Sequence, residues 1–176
     1  MLEDMEIDCE RISQIIDAEE IIVINELITD PENFETPEMW ESGQKLTDAG
    51  IGGPEFDVDR EEDYHQVRSP GIIETLVEIM LPMECRQNRN VLWLTTVIIG
   101  EIAQNQAFSE GNKRTAYMTG ALFLIKCQLM EIDEAVYPML DKELTDKISD
   151  LAVEKTDNKS VNKEKFYNYL KQNLCD

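Results

Sequence analysis

Basic residues are scarce in this chain: 16 lysines and arginines stand against 37 aspartates and glutamates, a formal charge of −21 over 176 residues. So acidic a surface repels phosphate backbones and anionic lipids, and direct binding of nucleic acid or membrane is not expected. No run of about 18 uncharged apolar residues occurs, so no transmembrane helix is expected. The first residues, Met1-Leu-Glu-Asp4, lack the basic region of a secretory signal, which makes a cytoplasmic location the expectation. Cys9, Cys85, Cys127 and Cys175 show no Cys-x-x-Cys spacing. That argues against zinc and against a disulfide framework, leaving buried or idle thiols. Imidazole is nearly missing, His65 being the only histidine, in a charged loop. With no internal repeat and no low-complexity tract, residues 1–176 read as one domain long enough to bury a real core.

Against this background the neighbouring cations Lys113 and Arg114 stand out. They lie in Gln106-Ala-Phe-Ser-Glu-Gly-Asn-Lys-Arg-Thr-Ala116, a short polar loop that runs into a helix. Gly111 can take backbone angles closed to other residues, and Asn112 sits at the helix start. The N–H groups of that first turn have no partner within the helix and point outward, with the positive end of the helix dipole behind them. Glu110 adds a hard oxygen that can hold Mg²⁺ against a di- or triphosphate. Anion nest, metal carboxylate and cations thus fall within residues 110–114. The plainer alternative is an N-capped helix with a charged first turn.

At these residues the chain resembles the Fic/Doc superfamily, whose motif reads His-x-Phe-x-(Asp/Glu)-(Gly/Ala)-Asn, followed by Gly-Arg-x-x-Arg in the Fic branch and by Lys-Arg in the Doc branch. Phe108, Glu110, Gly111, Asn112, Lys113 and Arg114 match the Doc form. Tyr117 stands where Fic enzymes carry their second arginine. A second stretch, Val67-Arg-Ser-Pro-Gly-Ile-Ile-Glu74, resembles the Doc sequence Val-Arg-Asp-x-Gly-Leu-Leu-Glu. The resemblance implies an all-α helical bundle with an irregular flap, here residues 45–68, that lines the site. It implies the toxin of a toxin–antitoxin pair, a kinase that uses ATP and Mg²⁺ to phosphorylate a threonine of a translation elongation factor. Fic enzymes transfer AMP instead. A bulky Lys113 fills space that Fic enzymes leave for the α-phosphate, which reverses the nucleotide. In this scheme Glu110 holds the metal, Gly111, Asn112 and the helix start orient a phosphate, and Lys113 and Arg114 neutralise developing charge. No Ser/Thr-x-x-x-Glu-(Gly/Asn) inhibitory signature occurs, so inhibition is expected from another chain, an antitoxin segment of the Phd type that folds on binding.

One departure matters as much as the match. The motif's histidine, a general base, is replaced by Gln106. An amide has no proton-accepting state near neutral pH and can only hydrogen-bond the attacking hydroxyl. Three readings stay open: an engineered knockout of a toxic protein, a natural pseudoenzyme that keeps a binding role, and an enzyme that relies on phosphate positioning alone. His65 is the one imidazole that could substitute.

Helical periodicity dominates the remainder. Ile12, Ile15 and Ile16 mark a helix near residues 6–16. Asp17 and Glu20 form a capping-box-like start for a helix with Ile21, Ile24, Leu27 and Ile28 on one face, ended by Asp30-Pro31. Thr36-Pro37 opens a short turn. The acidic run Asp57-x-Asp59-x-Glu61 lacks the glycine and glutamate of a calcium loop and reads as solvated. Ser69 is an expected N-cap with Pro70 at the first position of a helix over 70–82. Residues 90–105 are apolar nearly all round, the mark of a central buried helix. Residues 112–127 are expected to return antiparallel, close-packed through Ala116, Gly120 and Ala121, with Phe108 plugging the loop into the core. Leu144–Val153 and Lys163–Leu170 complete the helices.

Overall fold

The computed structural model describes residues 7–29, 67–88, 90–127, 142–152 and 159–174. Residues 45–66 of the expected flap (45–68), the Thr36-Pro37 turn, the acidic run 57–61, His65 and Cys175 lie outside them. The described residues are all-α, with no strand and a single isolated antiparallel bridge between Val67 and Phe108.

At the centre is a helical hairpin. Its first arm, α5 (Val91–Asn105), starts where the Asn90 side chain accepts a hydrogen bond from Trp93 N at 3.1 Å. Val91, Leu92, Leu94, Val97, Ile98, Ile99 and Ile102 are all buried. Thr95 and Thr96 share that interior because their hydroxyls donate to the carbonyls of Val91 and Leu92, each at 2.9 Å. The return arm, α6 (Asn112–Lys126), packs closely enough that a Cβ on Gly120 would lie 2.7 Å from Ile99 Cγ1 and Cδ1. The small residue is a requirement of the expected antiparallel packing.

Before the hairpin come α1 (Ile12–Ile15) and α2 (Ala18–Thr29). The α2 capping box is reciprocal: Glu20 N donates to Asp17 Oδ1 at 2.8 Å and Asp17 N to Glu20 Oε2 at 3.2 Å. The inward face differs from the expected one. Ile21, Asn25 and Thr29 are buried, whereas Leu27 is 54 % exposed. A helix with isoleucines on several sides leaves the choice of face to its neighbour, and α6 selects the row carrying the two polar residues.

Ser69 occupies the N-cap position of α3 (Pro70–Thr75), but its side chain makes no capping bond. The helix continues past the expected stop at 82, through a π turn (Leu76–Met80) into α4 (Leu81–Gln87). Leu81 N–H bonds back to Leu76 O, one residue further than in an α-helix. The widened turn comes just before Pro82, which has no N–H to give and would clash in a regular ladder.

The cysteine expectation needs correction: Cys9 and Cys85 form a disulfide. The pairing joins the segment ahead of α1 to α4, and spacing could not reveal it because the partners meet only through tertiary packing. Disulfides are rare in reducing compartments, so the bond also stands apart from the cytoplasmic expectation. Cys127 is a buried free thiol, as expected.

Helices α7 (Lys142–Ala152) and α8 (Lys159–Leu174) pack on α5 and on each other. They bury Ile148, Leu151, Phe166 and Leu170. Gly100 of α5 faces Leu151 and Lys163, and Lys163 forms an ion pair with Glu101 that is nearly withdrawn from solvent. Tyr167 meets Trp93 edge-on with ring centroids 5.8 Å apart. The last helix therefore belongs to the core.

Candidate active site

The loop between α5 and α6 is held from every side through its backbone. Gln106 closes α5 in the left-handed region, φ 48° and ψ 49°, with its side chain exposed. Few non-glycine residues accept this conformation, and such strain concentrates at functional sites. Ala107 O receives the N–H groups of Arg68 (2.8 Å) and Ser69 (3.1 Å). Phe108 is buried in the core, as expected, and bridges Val67. The two sequence stretches that carry the resemblance, 67–74 and 106–116, are thus in direct contact.

Asn112 turns its side chain back on the loop. Its Oδ1 accepts from Phe108 N at 3.0 Å and its Nδ2 donates to Phe108 O at 2.9 Å. Both polar atoms of this amide are therefore engaged within the loop. Gly111 is the N-cap of α6, with φ 71° and ψ 11°, and the first helical bond runs from Thr115 N to Gly111 O at 2.8 Å. The N–H groups of Asn112, Lys113 and Arg114 precede that bond and have no intrahelical acceptor. A Cβ on Gly111 would lie 2.6 Å from Thr29 Cγ2, so glycine is needed for its angle and for the approach of α2.

The two cations diverge. Lys113, half-buried, donates to Ser149 Oγ of α7 at 3.3 Å. Arg114 is only 6 % exposed, and its Nη1 donates to Ile28 O at the end of α2, at 3.1 Å. Its Nε is buried without a partner. Burial lowers the guanidinium pKa and the charge of Glu110 opposes that shift, so carboxylate and guanidinium sense each other across the junction. Tyr117 is buried, and desolvation raises its phenol pKa.

All six expected site residues, Gln106, Glu110, Gly111, Asn112, Lys113 and Arg114, therefore lie at one loop–helix junction. What sequence reasoning missed is the α2 side of it: Asn25, Thr29 and, on α6, Thr115. Asn25 Nδ2 donates to Glu110 O and to Thr115 Oγ1, each at 2.9 Å. The available signal was two polar residues four apart inside an apolar helix.

Among the described residues no group of three or more His, Cys, Asp or Glu side chains could hold a metal by itself. Half-buried Glu110 beside an open helix start does fit the alternative mode, in which Mg²⁺ takes one carboxylate and completes its shell with phosphate oxygens and water.

The described residues thus form an all-α hairpin whose return helix starts beside a carboxylate. The sequence profile of the Fic/DOC family matches residues 15–124, more than half of the chain, and the chain belongs to that family. It is a Fic-type transferase fold, of a family whose enzymes generally use ATP with a metal. No curated protein and no solved structure matches it. No described helix is long and apolar enough to cross a membrane.

Proposed function

We propose that this chain derives from a Doc-type toxin, a kinase that transfers phosphate from ATP to a hydroxyl of a translation elongation factor, and that Gln106 impairs the transfer. The observation that carries this reading is the Glu110–Arg114 junction, with its open helix start and with Lys113 laid towards Ser149 where a Fic enzyme has glycine. Bound ATP·Mg²⁺ would supply the transferable phosphoryl group and screen the charge of its leaving group. Glu110 would hold the metal, the N–H groups at the start of α6 would orient a phosphate, and Lys113 and Arg114 would stabilise charge near it. In the transfer the target oxygen bonds to the γ-phosphorus while the bond to the bridging oxygen of the β-phosphate breaks. The hydroxyl proton then needs an acceptor, which Gln106 cannot be; loss of a general base costs roughly 10²–10⁴ in rate. A translation-factor target implies action in the cytoplasm. Inhibition is assigned to a Phd-type antitoxin segment from another chain.

The test is Gln106→His. Histidine is among the residues enriched in the left-handed region, so the C-cap backbone should accept it. Label from γ-³²P-ATP should appear on the elongation factor with this variant and vanish on adding Asn112→Ala. Transfer of α-label instead would assign AMP transfer. The second reading, a non-catalytic binding module, is favoured by a loop backbone that Arg68, Ser69, Asn112 and Asn25 hold in place without the Gln106 side chain; no transfer of either label by a folded variant with ATP bound would establish it.

A further inference from the structure

Helix α2 contributes nothing to the motif, yet three of its groups fasten it. Asn25 spends both amide hydrogens on Glu110 O and Thr115 Oγ1. Thr29 Oγ1 donates to Asn25 O at 2.7 Å, and its methyl group fills the space a side chain at Gly111 would need. Ile28 O accepts from Arg114. We infer that Asn25 is a positioning residue, which fixes the Glu110 backbone and the start of α6 so that a metal-bound phosphate meets a preset carboxylate and open N–H groups.

The reason lies in what Gly111 cannot do. An ordinary N-cap, serine or aspartate, stabilises a helix start by accepting from the second or third N–H of the first turn, and so consumes the donors an anion would use. Gly111 has no side chain and leaves those donors available, at the cost of an unfixed loop. Asn25 supplies the missing restraint from the carbonyl side. It grips Glu110 O and Thr115 Oγ1, neither of which a phosphate would contact as an acceptor, and it competes for no N–H of the first turn. A leucine at position 25 would fill the same 1 % exposed site but could not set the orientation of the loop. Both donors of the amide are used, which explains how an asparagine is tolerated in so buried a place.

The inference rests on the nucleotide reading, and the experiment separates the two. Titration calorimetry is done on the unaltered chain, Asn25→Ala and Ile21→Val, with ATP in the presence of Mg²⁺ and in EDTA. Ile21 is fully buried on the same face of α2 but outside the junction, so it controls for lost packing. Amide exchange over residues 110–115 is measured without nucleotide. The expected result is a Kd for ATP·Mg²⁺ about tenfold higher in Asn25→Ala, the equivalent of one lost hydrogen bond. The change in EDTA should be smaller, and exchange at 110–115 should be faster only in Asn25→Ala. Equal Kd values for Asn25→Ala and Ile21→Val would overturn the positioning role, and so would equal exchange rates. Absence of ATP binding by the unaltered chain, with exchange still faster in Asn25→Ala, would refute the nucleotide reading and leave Asn25 as a purely structural clamp.

Discussion

Cys9 and Cys85, 76 residues apart in sequence, are covalently joined, so the chain segment leading into α1 and α2 is fastened to α4. Because α2 in turn holds the motif loop through Asn25 and Ile28, this bond lies at the start of a continuous mechanical path to the candidate site.

Reduction should therefore loosen the fold before it affects the motif directly. A loop of this length removes enough entropy from the unfolded chain to stabilise the folded state by about 4 kcal/mol in the chain-entropy model. Urea unfolding with and without a dithiol reductant should show a lower midpoint in the reduced protein, and Cys9→Ser should reproduce it. Equal midpoints, with the pair shown oxidised at the outset, would contradict this.

Gly111→Ala should be one of the costliest small changes in the molecule. The left-handed angle costs an alanine roughly 1–2 kcal/mol, and overpacking against Thr29 adds a similar amount. The contact is a hypothetical 2.6 Å to a methyl carbon on a buried residue, which has little room to retreat. Thermal melts should place this variant well below Gly71→Ala, whose added Cβ meets nothing within 4 Å.

Cys127 should be inert in the folded protein. Burial pushes its thiol up from 9.0 to about 11, so the neutral form is the one the fold prefers. A raised folded pKa contributes stability that is complete below the unfolded value and is lost as pH climbs through the folded one. Alkylation at pH 8 should be far slower than after unfolding, and stability should decline between about pH 9 and pH 11 with a part that Cys127→Ala removes. Rapid labelling of the native chain at this thiol would refute it.

The ion pair of Glu101 and Lys163 predicts an asymmetry. Their side chains are only 13 % and 14 % exposed, and Glu101 Oε2 also accepts from Asn105 Nδ2 at 2.8 Å. Glu101→Ala strands a mostly buried ammonium and should cost about 3 kcal/mol, whereas the double change with Lys163→Met should recover much of that loss. A double variant no more stable than the single one would indicate that packing, not the stranded charge, sets the cost.

The sequence determined what depends on local pattern. The capping box of Asp17 and Glu20, the buried and largely apolar α5, the small residue at 120 and the left-handed glycine before α6 all follow from properties of residues a few positions apart. The motif was legible for the same reason, since residues 106–114 are contiguous and their chemistry belongs to one loop–helix junction. The tertiary structure alone decided which groups complete it. Asn25 lies 85 residues from Glu110 in the chain, and no periodicity ties one to the other. Leu27 and Asn25 compete for the same interior, and hydropathy favours the leucine; the helix turns the asparagine inward because its two donors meet two acceptors on the loop and on α6. The disulfide is of the same kind, a pairing of two cysteines that only the packing of α1 against α4 brings within bonding distance. Lys113 and Arg114, adjacent in sequence, part towards α7 and α2 because successive residues of a helix point about 100° apart, and only the neighbours packed on each side fix what each one meets.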